Sequence, residues 1–186
     1  FTNTDCLFGY RDSIFKNILK GKYVITQVAF RLKKQSSVNI SYGAIQQILT
    51  EKGITVPNIR DVSRAVVEIR RSKLPNPAQL GNAGSFFKNP EIPLDQFNTL
   101  KITFPDIVSY PGTKEGMIKL PAGWLIEKSG WKGKTVGNVG VHRLQALVIV
   151  NYGGATGNEI IELSNEIRKS VFDLFQIDLL PEVNII

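Results

Sequence analysis

Cysteine, histidine and methionine each occur only once in the 186 residues, and this scarcity excludes several kinds of site. A single cysteine, Cys6, cannot form an intramolecular disulfide, which fits a reducing compartment such as the cytoplasm. With His142 as the only histidine, neither a cysteine–histidine zinc site nor a histidine-rich metal centre can be built. No bound metal is therefore expected.

Long apolar runs are also missing. No stretch approaches the roughly 18 apolar residues that a membrane-spanning helix requires, and no signal peptide opens the chain. Insertion into a membrane is therefore not expected. The sequence begins at Phe1 instead of methionine and stops in the extended apolar residues 181–186, which favours an interior segment of a longer protein.

The chain is basic, with 23 lysines and arginines against 16 acidic residues and a formal net charge of +7. These charges are scattered along the sequence and form no long block. Three interpretations stay open on charge alone. The excess could bind nucleic acid, a few convergent cations could hold a small phosphorylated ligand, or the charges could simply keep a surface soluble.

Apolar periodicity and capping signals predict interleaved helices and strands. Helices are predicted at residues 42–52, from Asp61 as N-cap to just before Pro75, at 121–130, and from the capping-box pair Thr156 and Glu159 to about Phe175. Strands are predicted at residues 23–32, 81–90, 145–150 and 177–186. Because these elements alternate without strict βαβ repetition, the predicted class is α+β.

A set of short motifs then points to a known family. The most specific is the Asn-Ala-Gly-Ser-Phe-Phe-Lys-Asn-Pro segment at residues 82–90. Others lie at residues 8–16, 70–75, 122–126, 141–147 and 181–183. In their order and spacing they resemble the UDP-N-acetylenolpyruvoylglucosamine reductase family, over essentially the whole chain. The Gly-Tyr-Arg-Asp-Ser segment resembles the subtype in which a tyrosine loop closes over the substrate.

The resemblance implies a flavoenzyme of peptidoglycan biosynthesis. In this family NADPH reduces bound FAD, and the flavin reduces the enolpyruvyl group of UDP-N-acetylglucosamine-enolpyruvate to give UDP-N-acetylmuramate. It implies a cytoplasmic monomer whose partners are NADPH and the UDP-sugar, with no nucleic acid among them. It also links the protein to cell wall biogenesis, cell shape and cell division.

The resemblance assigns two catalytic residues. Ser85 matches the proton donor; a serine hydroxyl is a weak acid, but the enolate-like carbon left by hydride addition is basic enough to accept its proton. Glu182 matches a second position that orients the site and stabilises the enol form. The family's third catalytic group, an arginine, and its main flavin-binding loops lie upstream of the matching region, so the chain alone is expected to be inactive.

Further positions match substrate-contacting residues of the family, and their chemistry suits a diphosphate and a carboxylate, which need cations and amide donors. These positions are Tyr10, Lys73, Asn89, Tyr110, Lys119 and Gln145, with Arg70 and Lys132 as additional candidates. His142 and Trp124 are expected to have packing roles instead.

The family layout also divides the chain. Residues 1–36 are expected to end an FAD-binding domain, residues 37–172 to form the substrate-binding domain, and residues 173–186 to return to the FAD-binding side. Such a return is needed because Ser85 and Glu182 are far apart in sequence but must face one ligand.

Two other functions stay open at this point. One is a basic nucleic-acid-binding module, although no nucleic-acid motif is recognised and the aromatic residues are spaced like core positions. The other is a non-catalytic relative that binds UDP-sugars only.

Overall fold

The computed structural model describes residues 1–35 and 37–185. The chain divides into two compact units, Phe1–Lys73 and Leu74–Ile186, which are described separately below. Ser36, at the end of the predicted FAD-binding segment, and Ile186, at the end of the predicted tail, lie outside the described residues. The functional boundaries after residues 36 and 172 stay predictions.

The first unit contains a short 3-10 helix (Ile14–Lys16) and the helices α1 (Gly43–Glu51) and α2 (Ile59–Lys73). Ile45, Leu49 and Ala65 form a small core shared by the two longer helices. Both helices confirm the predicted positions, and α2 ends before Pro75 as expected.

The N-cap predicted for α2 is wrong by three residues. The side chain of Asn58 accepts hydrogen bonds from the backbone N–H groups of Arg60 and Asp61, at 2.8 and 3.2 Å. Asp61 lies in the first turn, where its carboxylate accepts a 3.0 Å bond from the Asn58 N–H. An acidic residue here also suits the helix dipole, so sequence alone allows either assignment.

The strand predicted at residues 23–32 is wrong, because these residues have no regular secondary structure. Val24, Phe30 and Leu32 are exposed over 87%, 79% and 83% of their surface. A strand depends on hydrogen bonds to a neighbour, and no other described segment pairs with this one. β-branched and aromatic composition does not replace that partner.

The described residues of the second unit, 74–185, form seven short strands and three helices. In chain order they are β1 (Gly81–Ser85), β2 (Glu91–Pro93), α3 (Leu94–Thr103), β3 (Tyr110–Pro111), β4 (Met117–Lys119), α4 (Ala122–Lys128), β5 (Thr135–Val136), β6 (Val139–Val141), β7 (Val148–Asn151) and α5 (Gly157–Phe175). One antiparallel sheet has the order β1-β7-β6-β5 and the other β2-β4-β3. Antiparallel sheets packed with helices confirm the predicted α+β class.

Helix α5 provides one side of the main core. Leu163, Ile167, Val171 and Phe175 are 0–2% exposed and recur every four residues, which places them on one face. Trp124 of α4 packs against Phe175, with ring centroids 5.8 Å apart, and this confirms its expected core role. No helix within residues 1–35 and 37–185 is long and apolar enough to cross a membrane.

The segment after α5 is held against this unit. Arg168 donates to both carboxylate oxygens of Asp178, at 2.9–3.2 Å, and Ile177 and Leu179 are buried. The strand predicted here is wrong for residues 177–185: only an isolated bridge joins Phe87 and Pro181. Pro181 has no N–H group, so a regular ladder cannot continue through it.

The first prediction concerns the start of α5. The Thr156 side chain accepts from the Glu159 N–H, and the Glu159 carboxylate accepts from the Thr156 N–H at 2.7 Å. We expect Thr156→Ala to lower the free energy of unfolding by about 1 kcal/mol, because it removes the cap. Urea unfolding of the full-length protein measures this change.

Ser170→Ala is the matched control. The Ser170 hydroxyl donates to the Glu166 carbonyl in the middle of the same helix, so its removal should change the free energy by less than about 0.5 kcal/mol. Equal losses in the two variants would contradict the role given to the cap.

Candidate active site

Ser85 lies at an irregular point where β1 ends. It pairs with Val148 of β7, and the register shifts between Asn82 and Ser85. Gly84 has a φ of +74°, and its N–H donates to the Asn82 side chain at 3.0 Å. Such a bulge redirects the side chain that follows it. Ser85 is half-buried.

Three chain segments meet at the residue after Ser85. The Phe86 N–H donates to the Leu147 carbonyl at 2.8 Å, and the Phe86 carbonyl accepts from the Glu182 N–H at 2.7 Å. The Lys88 N–H donates to the Leu180 carbonyl at 2.9 Å. These bonds place the backbone of the half-buried Glu182 next to Phe86, the residue that follows Ser85.

Two amide side chains converge on the first turn of α4. The Asn89 Oδ1 accepts from the Ala122 N–H at 2.9 Å, and the Gln145 Oε1 accepts from the Leu147 N–H at 3.4 Å. A Cβ atom on Gly123 would stand 3.4 Å from the same Gln145 oxygen. Because both amide oxygens have partners within the chain, the remaining amide groups are donors. They suit a ligand rich in acceptor oxygens, such as a phosphate or carboxylate.

Three residues form a row across the second sheet. Lys119 of β4 pairs with Glu91 of β2 on one side and with Tyr110 of β3 on the other. Side chains that are directly opposite in antiparallel strands lie on the same face. The Lys119 Nζ is 3.7 Å from a Glu91 carboxylate oxygen. The row begins two residues after Asn89, so it adds an ammonium and a phenol close to the amide donors.

Lys132 does not join this group. It follows the C-terminal end of α4, a helix about 10 Å long, whereas Asn89 caps its first turn. Its ammonium donates to the Glu127 carboxylate at 2.8 Å. This ion pair is a structural role for Lys132 that does not involve a ligand.

The remaining candidates, Tyr10, Arg70 and Lys73, belong to the first unit. Tyr10 lies in a turn closed by two backbone hydrogen bonds between Gly9 and Asp12, at 3.0 and 3.3 Å. Arg70 and Lys73 are exposed in the last turn of α2, where cations suit the helix dipole. All three stay predictions as substrate contacts.

His142 is half-buried beside the sheet. Its backbone N–H donates to the Val148 carbonyl at 2.8 Å, while its imidazole Nδ1 has no hydrogen-bond partner among the described residues. Burial lowers the pKa of His142, and the positive charge of Arg143 lowers it further. The imidazole is therefore neutral at pH 7. Within residues 1–35 and 37–185, no group of acidic, histidine or cysteine side chains could hold a metal ion.

Sequence reasoning missed Glu91 as a residue of the site. Its carboxylate is partly buried and faces Lys119, which is distant from it in sequence. No local pattern marks such a pair, because only the strand register brings the two residues together. The only sequence signal for Glu91 was its position immediately after the motif at residues 82–90.

Residues 76–186 match the family model described as UDP-N-acetylenolpyruvoylglucosamine reductase, C-terminal domain, and the chain belongs to this family. All of the chain aligns with relatives named UDP-N-acetylenolpyruvoylglucosamine reductase. The identity is 50% over 187 residues for the protein of Flavobacterium johnsoniae, 49% over 185 for that of Pseudomonas aeruginosa, and 51% over 186 for that of Amoebophilus asiaticus. The aligned region is 54–55% of each relative, so the chain spans about half of their length.

The second prediction separates the two ends of the Asn89 amide. Asn89→Ala removes the acceptor for the Ala122 N–H and should lower the free energy of unfolding by about 1 kcal/mol. Asn89→Asp keeps an acceptor oxygen and should stay within about 0.5 kcal/mol of wild type. Urea unfolding of the full-length variants makes the comparison. A similar loss in both would show that the oxygen is not the stabilising group.

The third prediction concerns His142 and pH. Its pKa in the folded state lies below the unfolded value of about 6.5, so the unfolded state binds more protons in this range. Stability is therefore fully present above about pH 6.5 and is lost as the pH falls through the folded pKa.

Unfolding of the full-length protein between about pH 7.5 and 5.5 tests this, with His142→Gln as the comparison. The variant should show a flatter stability profile over this range. Identical slopes for the two proteins would exclude His142 as the source.

Proposed function

We propose that the full-length protein containing this chain is an oxidoreductase that uses NADPH and FAD to reduce the enolpyruvyl group of UDP-N-acetylglucosamine-enolpyruvate. The product would be UDP-N-acetylmuramate. The observation that carries the proposal is the meeting of the Ser85 strand end with the Glu182 segment through the 2.7 Å bond between Glu182 and Phe86. Membership of the reductase family supports it.

We assign the main flavin site to the rest of the protein, as the family resemblance implies. The glycine-rich loop of this chain does not suit a pyrophosphate. That loop, residues 151–157, joins β7 to α5. The Glu159 carboxylate already occupies the start of this helix and accepts from the Thr156 N–H and hydroxyl, at 2.7 and 2.9 Å. A pyrophosphate there would meet a negative charge and a capped helix end.

In the proposed reaction, this chain supplies the proton. Hydride addition to the vinyl carbon leaves negative charge on the adjacent carbon, conjugated with the substrate carboxylate. The Ser85 O–H bond breaks as a C–H bond forms at that carbon, and the serine alkoxide then recovers a proton from water. The half-buried position of Ser85 limits competing protonation by solvent.

Glu182 would assist this step without supplying the proton. Its backbone is fixed next to Ser85 by the bond to Phe86. A carboxyl group there can orient the substrate and hydrogen-bond the enol form of the intermediate. The arginine that the family resemblance implies would come from the rest of the protein.

The amide donors and the second sheet would bind the charged part of the substrate. Asn89 and Gln145 offer N–H donors, Lys119 offers an ammonium and Tyr110 a hydroxyl. Together these four groups match the acceptor oxygens of a diphosphate. Tyr10, Lys73 and Arg70 of the first unit stay proposed contacts on the family resemblance alone, and Lys132, which is paired with Glu127, is not included.

The proposed setting is the cytoplasm, where a monomer would serve peptidoglycan synthesis and so cell shape and division. The chain itself is proposed to supply the substrate half of the active site and to be inactive alone.

The fourth prediction tests the proton donor. In the full-length protein, Ser85→Ala should reduce NADPH oxidation driven by the UDP-sugar by about 10²- to 10⁴-fold, because the general acid is lost. Reduction of bound flavin by NADPH, followed by absorbance without the UDP-sugar, should be unchanged, because it does not use this proton.

Ser129→Ala is the control, since its hydroxyl donates to the Leu125 carbonyl within α4 at 2.8 Å. It should retain normal turnover. If Ser85→Ala turns over normally, the proposed mechanism is wrong. If the wild-type protein binds the UDP-sugar but never oxidises NADPH with it, the chain belongs to a binding protein instead.

A further inference from the structure

We propose that Glu91 is a positioning residue, which holds the Lys119 ammonium in place for the anionic part of the UDP-sugar. The inference rests on the proposed function, because it assumes that Lys119 contacts the substrate. It adds a residue that none of the sequence motifs includes.

The two side chains are adjacent and partly enclosed. Glu91 and Lys119 are paired residues of β2 and β4, and each side chain is 18% exposed. The Lys119 Nζ and a Glu91 carboxylate oxygen are 3.7 Å apart. This distance is within ion-pair range, so the carboxylate attracts the ammonium.

The carboxylate itself is fixed from the other side. Its Oε2 accepts from the Thr113 N–H at 3.0 Å and from the Thr113 hydroxyl at 2.8 Å. Its Oε1, the atom that faces Lys119, is buried and makes no hydrogen bond within the described residues. Thr113 therefore anchors one oxygen and leaves the other to attract the lysine.

Thr113 is in turn fixed by a tight hairpin. The Gly112 N–H donates to the Met117 carbonyl at 3.0 Å. A Cβ atom on Gly112 would come within 2.5 Å of the same carbonyl oxygen, so the two strands approach as closely as glycine allows. The line of contacts runs from the hairpin through Thr113 and Glu91 to Lys119.

The protonation state of Glu91 agrees with this role. Burial raises the pKa of its carboxyl group, but the hydrogen bonds from Thr113 and the charge of Lys119 outweigh burial and bring the pKa below its ordinary value. The group is therefore ionised at neutral pH.

Positioning matters because lysine is a flexible point charge. A lysine that binds an anion loses much of its rotamer freedom, and a neighbour that restricts it beforehand reduces this cost. Glu91 also lowers the positive potential that the anion meets. Because the pair is partly enclosed and Thr113 holds the carboxylate, we expect the ordering of Lys119 to dominate.

A double-mutant cycle in the full-length protein tests the proposal, with KM for the UDP-sugar as the readout. Glu91→Gln should raise KM about fivefold, within the range found for contacting residues, and change kcat less than about twofold. Lys119→Met should raise KM further. Adding Glu91→Gln to Lys119→Met should then have no additional effect, because the residue that Glu91 positions is gone.

Two other variants separate position from charge. Thr113→Val removes one anchor but leaves the Glu91 charge, and it should raise KM about twofold. Glu115→Gln removes a negative charge from an exposed position in the same hairpin and should leave KM unchanged. Thermal unfolding of each variant checks that the fold is retained.

The contrary outcomes are distinct. If Glu91→Gln leaves KM unchanged, or raises it equally with and without Lys119, the positioning role is wrong while the proposed function stands. If Lys119→Met and Ser85→Ala both leave turnover unaltered, the proposed function fails, and this inference fails with it.

Discussion

The burial of two consecutive phenylalanines is the constraint on which the site depends. Phe86 and Phe87 are 5% and 1% exposed. Neighbouring residues of an extended chain point to opposite sides, so both can be buried only if protein covers both sides of the backbone. The Leu147 segment covers one edge and residues 180–182 cover the other. Backbone hydrogen bonds at both edges, with both rings buried in the same core, bring the Glu182 backbone to the residue that follows Ser85.

Local signals were enough to predict α1, α2, α4 and α5, but α3 (Leu94–Thr103) was not predicted. The Thr156–Glu159 capping box, the proline before α4 and the glycine after α1 all act within a few residues, and each helix lies where these signals placed it. The wrong strand predictions are those that needed a distant partner. Residues 23–32 have the composition of a strand, but no other described segment forms strand hydrogen bonds with them. Residues 177–185 contain Pro181, which interrupts the hydrogen bonding of a β-ladder.

The site also combines residues that the sequence identified with contacts that it did not predict. The family resemblance supplied the identity of Ser85, Glu182, Asn89 and Lys119 but not their contacts. The pairing of Glu91 with Lys119 depends on strand register, and the internal use of the amide oxygens depends on where α4 begins. Both contacts join residues that are distant in sequence, so no local sequence pattern predicts them.

Asn89 has a consequence for inhibitor resistance. Its oxygen accepts from the Ala122 N–H at the start of α4, while its N–H groups are donors. A substitution that removed these donors would, unless it kept an acceptor, also uncap the helix. An aspartate would keep the acceptor but add a negative charge at the same place. An inhibitor designed to bind this amide would therefore face few substitutions that remove the donors without a loss of stability or a change of charge.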